Sequence, residues 1–169
     1  FRADETRMNL INELRRYGIR VTGYIDDRLW AKDDAPGKKS SWMFNPFGLK
    51  YALWRENGET PQEVYRSWHY EKDGRGWYYT THTNSVMCPA SRGWQDWVRW
   101  ICEDIAHGPK LDGIYHDQIT AALPFTCFNP EHGHLMNDSA VWYTHGFKIM
   151  LETIRTSVAR INPETFHNS

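Results

Sequence analysis

Three times along this chain an amphipathic helical pattern ends at a stop signal and passes into a short strand pattern. That alternation narrows the fold more than any other feature. Residues 4–17 place Met8, Ile11, Leu14 and Tyr17 on one stripe. Gly18 stops the helix, and residues 19–26 read as a strand ending in Asp26-Asp27. Trp94, Trp97, Val98, Ile101 and Ile105 mark a second helix, with Ser91 as N-cap and Gly108-Pro109 as its stop, followed by a strand over 111–117. A third helix over 139–161 puts Phe147, Met150, Leu151, Ile154, Val158 and Ile161 on one face. Asn162-Pro163 ends it, and a further strand begins within 164–169. The order helix, strand, insertion, helix, strand, loop, helix, strand predicts parallel strands joined by crossover helices.

Residues 29–88 are too long for an ordinary strand-to-helix loop of about 2–6 residues and read as an insertion with structure of its own. Within it, 61–68 is expected to form one or two helical turns and 76–83 a short strand. The insertion holds much of an aromatic surplus, since the 169 residues include nine Trp, nine Tyr and seven Phe. The length supports one domain with a real core but falls short of the about 250 residues of a complete eight-stranded βα barrel. A formal net charge of −1 leaves no excess of Lys and Arg to neutralise phosphates, so a nucleic-acid partner is not expected. No apolar run reaches the ~20 residues of a membrane span, and no membrane partner is expected. Phe1 in place of Met marks the sequence as a fragment or a processed piece. Three cysteines make no disulfide scaffold: Cys102 falls on a buried helix face, while Cys88 and Cys127 sit in loops and either pair or stay free.

Functional residues of parallel α/β sheets gather at the carboxyl ends of the strands. Carboxylates occupy those positions here, Asp26 or Asp27 on the first strand and Asp117 on the second. Side chains alternate along a strand, so Arg20, Thr22, Tyr24 and Asp26 share one face, as do Gly113, Tyr115 and Asp117. Each strand therefore offers Tyr and then Asp, two residues apart, at the mouth. A strand-end carboxylate beside aromatic rings is what glycoside hydrolysis uses, because one carboxylate attacks or stabilises the oxocarbenium-like transition state and ring faces stack on sugars. Trp30, Trp42 and Trp77 are the expected stacking platforms, Asp26 and the two tyrosines bind sugar hydroxyls, and His132 and His134 line the same mouth. The plainer readings are that a strand-end Asp caps its own turn and that the insertion's aromatics pack a small subdomain. His116 is expected to face away from the mouth and pack. Cys127, Glu131, His132 and His134, with Cys88 as a fourth donor, form an alternative metal set, but the spacing matches no standard zinc pattern, so neither a metal nor a cofactor is expected. No G-x-S-x-G elbow and no G-x-G-x-x-G or G-x-x-x-x-G-K-[ST] phosphate cradle occurs.

The runs MCPASRGWQDWVRWICEDI, LDGIYHDQI and CFNPEHGH resemble DUF6259, a family of barrel proteins associated with glycoside hydrolysis. The stretch DGIYHDQ also resembles the nucleophile-bearing strand of several retaining glycosidase families, including the endo-α-N-acetylgalactosaminidases. The resemblance extends from Val21 to the C-terminus. It is most specific at Met87-Cys88-Pro89-Ala90, Asp112-Gly113-Ile114-Tyr115 and Asp117-Gln118, and weakest across the insertion. It implies a partial (β/α)8 barrel of about three βα units, a carbohydrate substrate and Asp117 as nucleophile. The acid/base carboxylate of such barrels is expected on a later strand, past Ser169, with Glu131 as the substitute within the chain and Asp138 as a helix cap. The alternatives are a non-catalytic carbohydrate-binding barrel and a metal-dependent hydrolase using Cys127, His132 and His134.

Overall fold

A computed structural model of the chain describes residues 4–32, 43–70, 76–121, 123–138 and 140–169. Its helices and strands run α1 (Glu5–Arg16), β1 (Thr22–Asp26), β2 (Leu29–Ala31), β3 (Gln62–Tyr70), β4 (Trp77–Val86), α2 (Arg92–His107), β5 (Gly113–Asp117), α3 (Lys148–Ile161) and β6 (Phe166–Asn168). The expected alternation is present. β1, β5 and β6 form one parallel sheet in the order β1-β5-β6, and α2 and α3 are the crossovers. The fold class is therefore mixed α/β with a parallel sheet.

The apolar pattern explains the layering. Ile25 and Ile114 point from the sheet toward α2 and α3, whose own buried residues are Trp94, Val98, Cys102 and Ile105, and Met150, Ile154 and Val158. Each such side chain removed from water stabilises the layer by about 1.5–3 kcal/mol before entropic costs. α1 is anchored differently, with no residue fully buried. Met8, Ile11 and Leu14 are half-buried, whereas Tyr17 is exposed, because the helix stops at Gly18 (φ 73°) before its stripe can continue. Arg15 on its last turn pairs with Asp112 at 3.2 Å, and the Asp112 carboxylate also accepts the Val21 amide at 2.8 Å. Asp112 thus ties α1 and the start of β1 to the start of β5.

The insertion is a second, antiparallel sheet in the order β2-β4-β3. Two expectations are corrected here. Residues 61–68 are not helical turns: β3 pairs with β4 through nine consecutive residue pairs, from Gln62↔Ser85 to Tyr70↔Trp77. Alternating ring-bearing residues stabilise a long ribbon through cross-strand pairs such as Trp68–Tyr79 at 5.3 Å and Tyr70–Trp77 at 5.2 Å, which a short helix could not make. Trp30 is not a surface platform either. It is 7% exposed and packs on Phe44, Trp94 and Trp97, with ring centroids 5.1–6.5 Å apart, so it has no free face for a sugar. This aromatic cluster roots the insertion on α2.

The third helix also begins differently from its pattern. Val141–Phe147 winds as a π-helix before the regular turns of α3, and Ser139 lies outside the described residues. Among the described residues no helix is long and apolar enough to cross a membrane.

Candidate functional site

The pairing register decides what meets at the strand ends. Tyr24 is opposite Tyr115, and Asp26 is opposite Asp117. The two Tyr-x-Asp patterns therefore lie side by side on one face, at the carboxyl ends of adjacent parallel strands. The tyrosine rings stack at 5.8 Å with 21° between planes. The Tyr24 hydroxyl donates to Asp117 Oδ2 at 2.6 Å, and the Tyr115 hydroxyl reaches Oδ1 at 3.5 Å. Burial and then the bond to Asp117 push the Tyr24 phenol up from its ordinary pKa, so it keeps the proton that it donates. Tyr24 is also 62% exposed, which leaves the mouth open to solvent on this side.

Asp26 combines two roles that the sequence left as alternatives. Its Oδ1 accepts the amides of Arg28 and Leu29, each at 3.0 Å, and so caps the turn into β2. Burial pushes its pKa up to about 6 despite those two bonds and the nearby Arg28, with the Asp117 charge adding a smaller upward push. Because the folded-state pKa is raised, the folded protein holds this proton more tightly than the unfolded chain, and stability is lost as pH rises from about 4 through about 6. Asp26→Asn keeps the capping oxygen and removes the buried charge. Its melting temperature should match the wild type at pH 4 and exceed it at pH 7.5, by roughly 1–2 kcal/mol in stability after solvent screening. Thermal melts across that range check it, and equal melting at pH 7.5 would contradict it.

The insertion is pinned to this mouth through a buried arginine. Arg28, 1% exposed, makes a two-pronged ion pair with Glu63 at the root of β3, and its Nη2 also donates to Gln118 Oε1 at 2.5 Å. The Tyr65 hydroxyl donates to Glu63 Oε2 at 2.6 Å. The guanidinium holds the Glu63 carboxyl below the usual carboxylate range. Gln118, next to Asp117, has φ 69°, a left-handed conformation that costs about 1 kcal/mol or more for a residue with a side chain. The sequence reading missed Arg28, Glu63 and Gln118. The available signal was an Arg directly after two strand-end aspartates, where a buried cation needs a carboxylate partner.

On the far face of the sheet, His116 is buried as expected, but its contacts are polar. Its Nδ1 lies 2.7 Å from Asp27 Oδ2 and its Nε2 lies 2.9 Å from His167 Nδ1. The Trp94 indole N–H donates to the Asp27 carbonyl at 2.8 Å. The chain Asp27–His116–His167 crosses from β1 through β5 to β6, and burial, then His116 and Arg155, push His167 down to about 4. It locks the carboxyl ends of the strands together from behind the mouth.

Three other expected contributors, Trp77, His132 and His134, lie away from the mouth. Trp77 is 69% exposed at the tip of the hairpin, about 24 Å from Glu63 at the strand rise, on the ribbon face opposite Glu63 and Tyr65. Trp42 lies outside the described residues. His132 and His134 do not turn to the mouth. They face Cys127 and Cys88, with one ligand-competent atom from each of the four residues lying within 4.8 Å of every other. Cys127, His132 and His134 come from the loop after β5, and Cys88 comes from a different loop, after β4. Glu131 is exposed beside them on the turn Pro130–His132, and Asp138 accepts the Ala140 amide at 2.8 Å, as a cap would.

The arrangement defines an α/β protein with a Tyr- and Asp-lined mouth at its strand ends, overlaid by an antiparallel insertion. Residues 3–168 match the family described as Domain of unknown function (DUF6259), and the chain belongs to that family. It is 28% identical over 153 residues to a protein of Bacteroides thetaiotaomicron named "Putative glycoside hydrolase", covering 90% of this chain and 20% of that protein. Two solved structures share the fold. One is the cycloisomaltooligosaccharide glucanotransferase of Paenibacillus sp. complexed with cycloisomaltoheptaose, with TM-score 0.61, 13% identity, and coverage of 96% of this chain and 20% of that one. The other is α-L-fucosidase isoenzyme 2 from Paenibacillus thiaminolyticus, with TM-score 0.53, 16% identity, and coverage of 94% and 22%. The chain thus spans about a fifth of the length of each of these three proteins.

Proposed function

We propose that this chain forms three βα units of a (β/α)8 barrel and carries the nucleophile of a retaining glycoside hydrolase. The observation that carries the reading is Asp117: it ends the central parallel strand, is held by the Tyr24 hydroxyl at 2.6 Å, and sits in register with Asp26. The barrel reading is supported by the layers on the same face. Thr22, Gly113 and Phe166 share one level, and Tyr24, Tyr115 and Asn168 the next. On the opposite face Ile25 and Ile114 are buried in one core with residues of α2 and α3, as on a barrel wall. The names of the matched family relative and of both fold neighbours concern carbohydrate chemistry, which supports the substrate class.

In this mechanism Asp117 attacks the anomeric carbon, the glycosidic bond breaks, and the departing oxygen takes a proton from a carboxylic acid. Water then attacks the glycosyl ester, freeing the sugar and restoring the carboxylate. Asp26 fits a sugar hydroxyl better than the acid role, because it stands beside Asp117 on one wall rather than across the scissile bond from it, and its Oδ1 is taken up by the turn. The stacked Tyr24 and Tyr115 rings offer the platform, and Trp77 would meet only a long glycan. Among the described residues, Glu63 is committed to Arg28 and Asp26 to its turn, so neither is assigned the role of proton donor.

A non-catalytic carbohydrate-binding barrel is the second reading, favoured by that same commitment of Asp26 to its turn and Glu63 to its arginine. Proton NMR of the first-formed product separates them. Full-length protein should release the sugar with the anomeric configuration of the substrate. Inverted product would remove the nucleophile role, and binding with no turnover of any glycoside would favour the second reading.

A further inference from the structure

We propose that Cys88, Cys127, His132 and His134 form a structural zinc site that staples the loop after β5 to the insertion. The donor atoms converge as tetrahedral ligands do. Cys88 Sγ lies 3.3 Å from His134 Nε2, and Cys127 Sγ lies 3.4 Å from His132 Nδ1. Zinc bonds of about 2.3 Å to sulfur and about 2.0 Å to nitrogen give a tetrahedral S···N edge of about 3.5 Å. Each imidazole turns one nitrogen to a sulfur and the other to a backbone carbonyl. His132 Nε2 lies 2.9 Å from the Lys50 carbonyl, and His134 Nδ1 lies 3.0 Å from the Leu135 carbonyl. The outer nitrogens face backbone oxygens, with the Asn129 side-chain nitrogen also 3.0 Å from His132 Nε2, and the inner nitrogens face the sulfurs. Metal-bound histidines have this arrangement of outer hydrogen bonds.

The backbone holds the four residues in place independently of any ion. The Asn129 side chain caps the turn by accepting the Glu131 amide at 3.0 Å, and Gly133, at φ 74°, folds the two rings back to 5.6 Å from each other. The Cys88 amide donates to the Tyr51 carbonyl at 3.0 Å, and the Phe128 amide to the Trp54 carbonyl at 2.9 Å, so both sulfurs sit against the 51–54 segment. Backbone amides of Ala90 and Ser91 reach the Cys88 sulfur, and those of Trp54 and Asn129 reach the Cys127 sulfur, so each sulfur is fixed from the backbone side. Both cysteines are at most 1% exposed. Two thiolates and one Zn²⁺ sum to zero charge, so the loaded site is buried without an unpaired ion, and the two thiol protons leave to solvent on binding. Sulfur and imidazole donors select zinc over calcium or magnesium. Four protein ligands leave no open position, which makes the site structural rather than catalytic. Among the described residues of the loop over 118–138, the one regular element is the short 3-10 turn Pro130–His132, which carries His132.

The test is metal analysis of full-length protein purified without a histidine tag and without added metal. About one zinc per chain is expected, lost in Cys127→Ser and in His134→Ala and kept in the control Cys102→Ala. Should the first two variants fail to fold, the wild type decides: blocking its thiols with a mercurial reagent should release that zinc to a chelating dye. Folded wild type without stoichiometric zinc, zinc that survives thiol blocking, or Cys88 and Cys127 found as a disulfide in unreduced peptide maps would each overturn the proposal.

Discussion

Asp117→Asn in the full-length protein is expected to lower kcat/KM on its glycoside by on the order of 10³-fold or more, with an unchanged melting temperature. The amide matches the carboxylate in shape and still accepts the Tyr24 hydroxyl, which donates to Asp117 at 2.6 Å in the wild type. What it lacks is a nucleophilic oxygen and a negative charge beside the developing oxocarbenium ion. The stability of the variant follows from position. Asp117 ends β5 at the open mouth rather than in the layer of Ile114 and Ile25 that the helices cover. Turnover within a few-fold of wild type would remove Asp117 from the chemistry. A large drop in melting temperature would show that the residue serves the fold instead.

Glu63→Ala is the second large effect, and it falls on stability. The variant leaves the Arg28 guanidinium, 1% exposed, with Gln118 as its remaining side-chain partner. Removing one member of a buried pair typically costs 3–5 kcal/mol, and the part-exposed Glu63 reduces this to about 2–4 kcal/mol. Because the pairing depresses the Glu63 pKa, the contribution is present above the unfolded carboxylate range and lost as pH falls through the folded value. Chemical denaturation at neutral pH should show the full loss, and at low pH the variant and wild type should converge. Glu63→Gln, which keeps an acceptor, should lose less. Catalysis should fall as well, since Arg28 also holds Gln118, whose strained backbone follows Asp117 directly. Equal denaturation midpoints at neutral pH would contradict the pinning role.

The parallel layer was legible because its signals are local and redundant. Apolar stripes at helical spacing, Gly and Pro stops, and two strands with the same Tyr-x-Asp ending predicted α2, α3, β1 and β5, and alternation alone put Tyr24, Asp26, Tyr115 and Asp117 on one face. Register then made neighbours of them, which no single-strand pattern specifies. The insertion was harder to read. The backbone of residues 62–70 pairs with β4 across the ribbon, so the strand is a property of the pair rather than of the segment. Trp30 reads the same in sequence whether it stacks on sugar or on Trp97, and the structure places it on Trp97. The Cys/His set could be named from the sequence, but its convergence could not be read from spacing, because the four residues come from two loops that only the folded chain brings together. Arg28 was passed over for a related reason: its partners, Glu63 and Gln118, are distant in sequence.

The central claim is that Asp117 becomes covalently attached to sugar. It is tested most directly by incubating the full-length protein with a 2-deoxy-2-fluoro glycoside bearing a good leaving group, chosen to match the sugar it hydrolyses, and mapping the modified peptide by mass spectrometry. The prediction is one fluoroglycosyl adduct, on the Asp117 side chain within the LDGIYHDQI segment, absent in Asp117→Asn. Inactivation with the label on any other carboxylate would contradict it.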